Sequence, residues 1–383
     1  MPLQSQWLMA AYPEIVDLSK TNSLPEVVHK TADCLSSGHL VALPTETVYG
    51  IAGFALNESS AHRISQLKQR DDDKPLSVAV KSIQEALAFV PDVSSVGRRL
   101  MRRCWPGPLT LVLPASAQGT LIEQLPEAVK ERVIQNGNIG LRVCDHPFVH
   151  ELLGLLSGPL LLTSANISGQ PDATAADQVA GSFSESLRLI VDDGPTKHQQ
   201  PSTVVEVSEG DWRILRTGVI VEKSLRSMVS CNILFVCTGN TCRSPIAEGL
   251  CAKLLASKIG CAQKELASHG WQIASAGIAA STGRKASPEA VEEVQRRGGN
   301  IADHISKPLD FQLAQHADFI FTMTRQHRDA ILLEWPELAD RIHLLAPLNA
   351  DVVDPIGGTY ADYQHCADVI EDYLNTRLPT LFQ

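Results

Sequence analysis

Short apolar runs broken by polar turns set the rhythm of this chain. His39–Leu43 and Leu76–Val80 are apolar runs of strand length. Between them Ser60–Gln69 places Ala61, Ile64 and Leu67 on one face at helical spacing. The runs Leu109–Leu113, Asn138–Val143, Pro159–Thr163, Leu187–Val191, Thr203–Val207 and Trp212–Leu215 extend the strand signal. Helices and strands alternate irregularly here, and many of these strands end in Ser, Thr, Asn or Gly, where an α/β sheet opens its sites. From Asn232 the pattern sharpens. It predicts strands over Asn232–Val236, Gln272–Ala274, Asp318–Met323 and Ile342–Leu345, with helices over Pro245–Ser257, Pro288–Arg297 and Arg325–Glu334 and a last helix from about Tyr360. That alternation is a four-stranded, parallel, doubly wound sheet. Between the two regimes Val221–Ser230 is a short seam without a Pro or Gly run, so the expected domains are 1–228 and 229–383, both α/β.

Composition agrees. A chain of 383 residues is long for one core, and 44% hydrophobic with 20% charged residues is ordinary for a globular protein. Lys and Arg number 20 before Met228 and 13 after it, against 25 and 18 Asp and Glu, so both halves share the net charge of -10. No basic tail or stripe points to tight nonspecific nucleic-acid binding. Nine cysteines, with no paired short spacing beyond Cys237 and Cys242, suit a reducing cytoplasm rather than a disulfide framework. No uncharged run is long enough to span a bilayer, and Met1–Ala11 lacks the basic start of a signal peptide, so no membrane partner is expected.

The sharpest chemical signal is Cys237-Thr-Gly-Asn-Thr-Cys242-Arg243-Ser244-Pro245, between a strand and a helix. A loop of this length can wrap a phosphate with successive N–H groups turned inward and a helix N-terminus behind it. The same field favours a thiolate on Cys237, the reactive form. Arg243 suits two phosphoryl oxygens, Gly239 the tight turn, and Pro245 the start of a helix. Ser244 can hydrogen-bond the thiolate, and the Asn240 amide can brace the loop. Cys237 alone would read as a buried structural cysteine; Arg243, Ser244 and Pro245 in place favour the phosphate loop. A general acid is also needed, and Asp354 in Asp354-Pro355-Ile356-Gly357-Gly358 is the candidate, although Asp-Pro by itself is a turn signal.

With these residues in view, Cys231–Gln383 resembles the low-molecular-weight protein-tyrosine-phosphatase family. The likeness runs through Cys237–Pro245, Ser275-Ala-Gly277, His304-Ile-Ser306-Lys-Pro308-Leu, Ala317-Asp318 to Met323, and Asp354-Pro355. It implies Cys237 as nucleophile, Arg243 as phosphate binder, Asp354 as acid, a phosphoprotein substrate and no cofactor. Thr241, in place of a bulky aliphatic residue, and Ile356-Gly357-Gly358 resemble the protein-arginine phosphatases of the same family. A neutral Ile-to-Thr drift is the alternative. Arsenate reductases share the fold but need resolving cysteines, and after Cys261 only Cys366 remains. Cys242 reads either as a reversible disulfide partner of Cys237 or as a small loop residue.

The first half has no Walker-type phosphate loop. It offers Leu43-Pro-Thr45-Glu-Thr47-Val-Tyr49-Gly50, Lys68-Gln-Arg70 followed by three aspartates and Lys74-Pro75-Leu76, and Trp105-Pro-Gly-Pro108-Leu-Thr110. Then come Gly140-Leu-Arg142, Thr163-Ser164-Ala-Asn166-Ile-Ser168-Gly169, Pro201-Ser202-Thr203 and Leu215-Arg216-Thr-Gly218. Each piece is weak alone. Together, from about Leu24 to Val219, they resemble the threonylcarbamoyl-AMP synthases of the YrdC type. That resemblance implies an open twisted sheet with a concave site. It also implies condensation of L-threonine, bicarbonate and ATP to threonylcarbamoyl-AMP and pyrophosphate, for a tRNA modification, with tRNA or tRNA-modification proteins as partners. By position, Thr47, Arg142 and Ser202 belong to the threonine side. Lys68, Arg70, Lys74, Ser164, Asn166 and Arg216 belong to ATP, which carries its own Mg2+ so that no protein metal site is expected. The sequence departs from the family pattern at Asp71, at Ala79 in place of a His, at Asp193 before Gly194, and in Thr196–Gln200. Those departures leave a binding module, with the phosphatase as sole enzyme, as the alternative.

Overall fold

The computed structural model describes residues 13–68, 75–116, 118–183, 186–209 and 211–382. The chain divides into two compact units between Met228 and Val229. Helix Glu222–Val229 occupies the expected seam. Its apolar residues Leu225, Met228 and Val229 share one face at helical spacing, and Leu225 is the buried one.

In the first unit the described residues form a mixed sheet of 11 strands. Its order is Glu14–Asp17, Leu189–Asp192, Val41–Leu43, Gly50–Phe54, Leu160–Ser164, Ser77–Ala79, Asn138–Arg142, Leu109–Pro114, Thr203–Val207 and Trp212–Arg216, with Ile134–Gln135 beside Asn138–Arg142. Gly50–Phe54 is buried throughout and pairs antiparallel with both neighbours. A Cβ on Gly50 would lie 2.7 Å from Leu162 Cδ1, so glycine lets these strands close on each other. Helix Leu24–Ser36 starts on a Ser23 cap to the Glu26 N–H, with proline in its first turn. It buries Val27, Val28, Thr31, Ala32 and Leu35. Those apolar residues pack with Phe148, Val149, Leu152 and Leu153 of helix Pro147–Leu155 and with the sheet strands beneath.

The second unit is a four-stranded parallel sheet in the order Trp271–Gly277, Cys231–Cys237, Phe319–Thr322, Ile342–Leu344. Phe235 and Phe321 stack at 5.8 Å between neighbouring strands. One apolar layer joins helices Arg243–Ile259, Pro288–Arg296 and Tyr360–Arg377 to one face. A second joins Ile331 and Leu338 to the other. Strand order reverses beside Cys231–Cys237, which places the C-terminal end of that strand at the switch point where doubly wound sheets hold their ligands.

Candidate active sites

In the second unit, strand Cys231–Cys237 delivers Cys237 to the switch point and helix Arg243–Ile259 begins six residues later. The intervening turn is held by Asn240, which is fully buried with φ of 55°. The Asn240 N–H donates to Cys237 Sγ at 3.2 Å. Asn240 Nδ2 donates to Ser244 Oγ at 3.0 Å and Ser275 Oγ at 2.8 Å, and Oδ1 accepts the Lys307 N–H at 2.9 Å. The Asn240 carbonyl lies 2.9 Å from His304 Nε2. Ser244 Oγ is 3.0 Å from Cys237 Sγ and 3.3 Å from the Ala276 carbonyl. Because Ser244 accepts the Asn240 amide, its own proton is left for the sulfur or that carbonyl. Gly277 lets the neighbouring strand approach the loop: a Cβ there would sit 2.4 Å from the Thr238 carbonyl oxygen.

Arg243 is 5% exposed. One guanidinium nitrogen donates to the Val352 carbonyl at 3.2 Å; the other donates to Thr238 Oγ1 at 3.4 Å and to the Asp354 carboxylate. Its Nε is buried and has no partner among the described residues. Burying such a donor unpaired is costly, and a phosphoryl oxygen in the loop would satisfy it. Asp354 also accepts the Ile356 N–H at 3.3 Å. Thr238 links Arg243 to His327, whose Nε2 is 2.9 Å from Thr238 Oγ1 and whose Nδ1 is 2.9 Å from Thr324 Oγ1. Burial first, and the Arg243 charge second, push His327 down to about 4, so it is neutral at neutral pH. Thr241 is half-buried, its hydroxyl 3.6 Å from Cys242 Sγ. Cys237 and Cys242 are both free thiols. Cys242 Sγ lies among the hydroxyls of Tyr363 at 3.4 Å and Ser287 at 3.5 Å. Sequence reasoning gave no task to His304, His327 or Tyr363, which reach the loop from segments 60 or more residues away.

In the first unit the candidate residues fall into three groups. The turn between strands Val41–Leu43 and Gly50–Phe54 carries Glu46 and Thr47. Arg142, 7% exposed at the end of strand Asn138–Arg142, donates to Glu46 Oε1 at 2.7 Å and Thr47 Oγ1 at 2.8 Å. Burial opposes the Arg142 charge, and Cys144 and Glu46 more than offset it. Glu46, 3% exposed, carried no task in the sequence, where its partner lies 96 residues away. The second group is Lys68, Ser164 and Asn166. Lys68 Nζ donates to the Ser164 carbonyl at 2.6 Å and Asn166 Oδ1 at 3.1 Å, and Ser164 Oγ donates to Asn166 Oδ1 at 2.6 Å. The third is Ser202, whose hydroxyl lies 2.9 Å from Thr110 Oγ1. Arg216, grouped with the nucleotide residues by sequence, donates to the Ser202 carbonyl at 2.8 Å and hydroxyl at 3.1 Å. Burial lowers the Arg216 proton affinity, Asp172 opposes that and Arg142 adds to it. Arg70 and Lys74 lie outside the described residues.

The molecule is therefore an α/β protein in two units, one with the buried cations Arg142 at a strand end and Lys68 at a helix end, and the other with a cysteine-centred loop between strand and helix. Residues 33–218 match the family model of the Sua5, YciO and YrdC proteins, described as telomere recombination. Residues 232–381 match the model for low molecular weight phosphotyrosine protein phosphatase. The threonylcarbamoyl-AMP synthase of Klebsiella pneumoniae is 32% identical over 50% of this chain and 96% of its own length. That of Pyrococcus abyssi is 35% identical over 52% of this chain and 56% of its own length. The chain thus spans little more than half of that longer relative. A solved YwlE arginine phosphatase from Geobacillus stearothermophilus is 31% identical, covering 39% of this chain and 92% of its own, with a TM-score of 0.35. The chain belongs to the threonylcarbamoyl-AMP synthase family through its first half and to the low-molecular-weight phosphatase family through its second.

Proposed function

We propose that this chain carries two enzymes. The second half is a protein phosphatase working through a cysteinyl-phosphate. The observation that carries it is the buried Cys237 sulfur, hydrogen-bonded by Asn240 N–H and beside Ser244 Oγ, with Arg243 on the same loop holding a buried Nε donor that has no partner among the described residues. Phosphoryl oxygens take the Arg243 donors and release Asp354 from its ion pair. The freed Asp354 carboxylate takes up the proton that the Cys237 thiol gives up; the thiolate then forms the bond to phosphorus as the bond to the leaving group breaks, and Asp354 passes that proton to the leaving group. Water next attacks the phosphocysteine, gives its proton to Asp354, and phosphate departs. An Asp354→Asn chain mixed with phosphopeptide should accumulate labelled phosphocysteine on Cys237; label on any other residue would remove the nucleophile.

The first half condenses L-threonine, bicarbonate and Mg-ATP to threonylcarbamoyl-AMP and pyrophosphate, for a tRNA modification. Support comes from family membership and from the Arg142–Glu46–Thr47 and Lys68–Ser164–Asn166 groups. Arg142 suits the threonine carboxylate, and the Lys68 group suits triphosphate oxygens. A chain that binds ATP yet shows no threonine-dependent pyrophosphate release would be a nucleotide-binding module instead.

For the phosphatase, Thr241 favours phosphoarginine over phosphotyrosine. Its half-buried hydroxyl offers guanidinium N–H groups an acceptor that an aliphatic side chain lacks. Leaving such a donor unpaired costs about 1–3 kcal/mol, roughly one to two decades in rate. Thr241→Ile should therefore raise the phosphotyrosine-to-phosphoarginine ratio of kcat/KM on matched peptides. An unchanged ratio, or a wild type that already prefers phosphotyrosine, returns the site to a general tyrosine phosphatase.

A further inference from the structure

The Arg142–Glu46–Thr47 group lies within electrostatic reach of a histidine–carboxylate pair that no sequence motif marked. His146 caps helix Pro147–Leu155, four residues after Arg142, and is 9% exposed. Its Nε2 lies 3.2 Å from Asp193 Oδ2, whereas its Nδ1 is buried and has no partner among the described residues. Tyr49, from the same turn as Glu46 and Thr47, holds Asp193 in place. Its hydroxyl accepts the Asp193 N–H at 3.1 Å and donates to the Gly194 carbonyl at 2.8 Å. Two further buried polar atoms, Glu46 Oε2 and Arg142 Nε, have no partner among the described residues. A guanidinium N–H, a carboxylate oxygen and an imidazole nitrogen match the two ends of an α-amino acid.

The tautomer follows from the pairing. The Asp193 carboxylate only accepts, so Nε2 carries the hydrogen and Nδ1 keeps its lone pair. The charged groups facing the ring are Asp193, Glu46 and Asp145, which favour its protonation. Burial outweighs them and holds His146 below the usual histidine range.

We propose that His146, oriented by Asp193, is the base that removes a proton from the ammonium group of the amino-acid substrate. This rests on the threonine site proposed above. An N–H bond of the ammonium breaks, its electron pair stays on nitrogen, and the proton goes to Nδ1. The amine then bonds to the bicarbonate carbon while the C–OH bond breaks. The hydroxide leaves as water with a second proton from nitrogen, which leaves the carbamate. The imidazolium returns its proton to solvent. An imidazole fixed by a carboxylate in one tautomer is an arrangement that supports general-base catalysis.

The test compares the full chain with its His146→Gln and Asp193→Asn variants, following threonine-dependent pyrophosphate release from about pH 6.5 to 9.5 and threonine binding by calorimetry. His146→Gln should lower kcat at neutral pH by about 100-fold or more while changing threonine affinity less than about threefold. The deficit should shrink as pH rises and free amine becomes abundant, which a purely structural role would not produce. Asp193→Asn should fall between the two. Threonine binding retained by the variants reports that the first unit has folded, and phosphatase activity on the same samples reports the second. A working wild type with His146→Gln within about threefold of it, or with an equal deficit at every pH, overturns the base assignment alone. A wild type without threonine binding or threonine-dependent release overturns the threonine site, and this proposal with it.

Discussion

Replacing Asn240 tests how the phosphate loop is held. Asn240→Ala deletes three hydrogen bonds of the buried side chain, to Ser244 Oγ, Ser275 Oγ and the Lys307 N–H. At about 1 kcal/mol net for each, this is about 3 kcal/mol. The backbone adds to it, because φ of 55° is in the left-handed region and an alanine there costs about 1 kcal/mol more than asparagine. Asn240→Ala should therefore destabilise the second unit by about 4 kcal/mol, and Asn240→Gly by about 3, since glycine relieves only the backbone part. Native-state hydrogen exchange at Leu234, Phe235 and Val236, central in the buried strand, reads that unit without interference from the first. Both variants should also lose phosphatase kcat, because the Ser244 proton is no longer steered toward the sulfur. A loss below about 1 kcal/mol for Asn240→Ala, or a glycine variant less stable than the alanine one, would refute this division between side-chain bonds and backbone strain.

Other outcomes follow from the same contacts. Arg142→Ala strands the buried Glu46 carboxylate and should cost about 3–5 kcal/mol, whereas Arg142→Ala combined with Glu46→Gln should recover part of that stability without restoring pyrophosphate release; denaturant unfolding and a pyrophosphate assay check both. His327 has a folded value of about 4 against an ordinary 6.5, so its stabilising effect is present above pH 6.5 and is lost as pH falls toward 4. Between these limits wild type should lose about 2 kcal/mol more than His327→Gln, after discounting for partial screening. Identical pH slopes for the two chains would show that His327 does not titrate in this window. Arg243, Asp354 and Asp351 are the charged groups that face it.

The phosphatase half was legible in sequence because its chemistry is nearly linear: Cys237, Asn240, Arg243 and Ser244 lie on one loop at the end of an apolar strand. Of what supports that loop, Ser275 and His304 showed only as parts of family-like stretches without a task and His327 not at all, since they arrive from another strand, a loop and a helix. In the first half Gly50–Phe54 escaped because glycine and alanine give it no alternation, although a Cβ at Gly50 would press on the Leu162 side chain. Helix Leu24–Ser36 carried a readable start in Ser23, Pro25 and Glu26 that the strand-centred reading passed over. The Glu46–Arg142 and His146–Asp193 pairs join residues far apart in the chain, so periodicity cannot reveal them. Family resemblance supplied Arg142, Lys68 and Arg216, whereas the contact of Arg216 with Ser202 shows only in the fold.

The most direct test of two enzymes in one chain is pyrophosphate release by the purified full-length protein, with ATP, bicarbonate and L-threonine each omitted in turn, run beside phosphopeptide hydrolysis on the same sample and on Cys237→Ser. The expected result is release that needs all three substrates and is unchanged in Cys237→Ser, while that variant loses phosphopeptide hydrolysis. Pyrophosphate release that ignores threonine, or hydrolysis that survives Cys237→Ser, would contradict it.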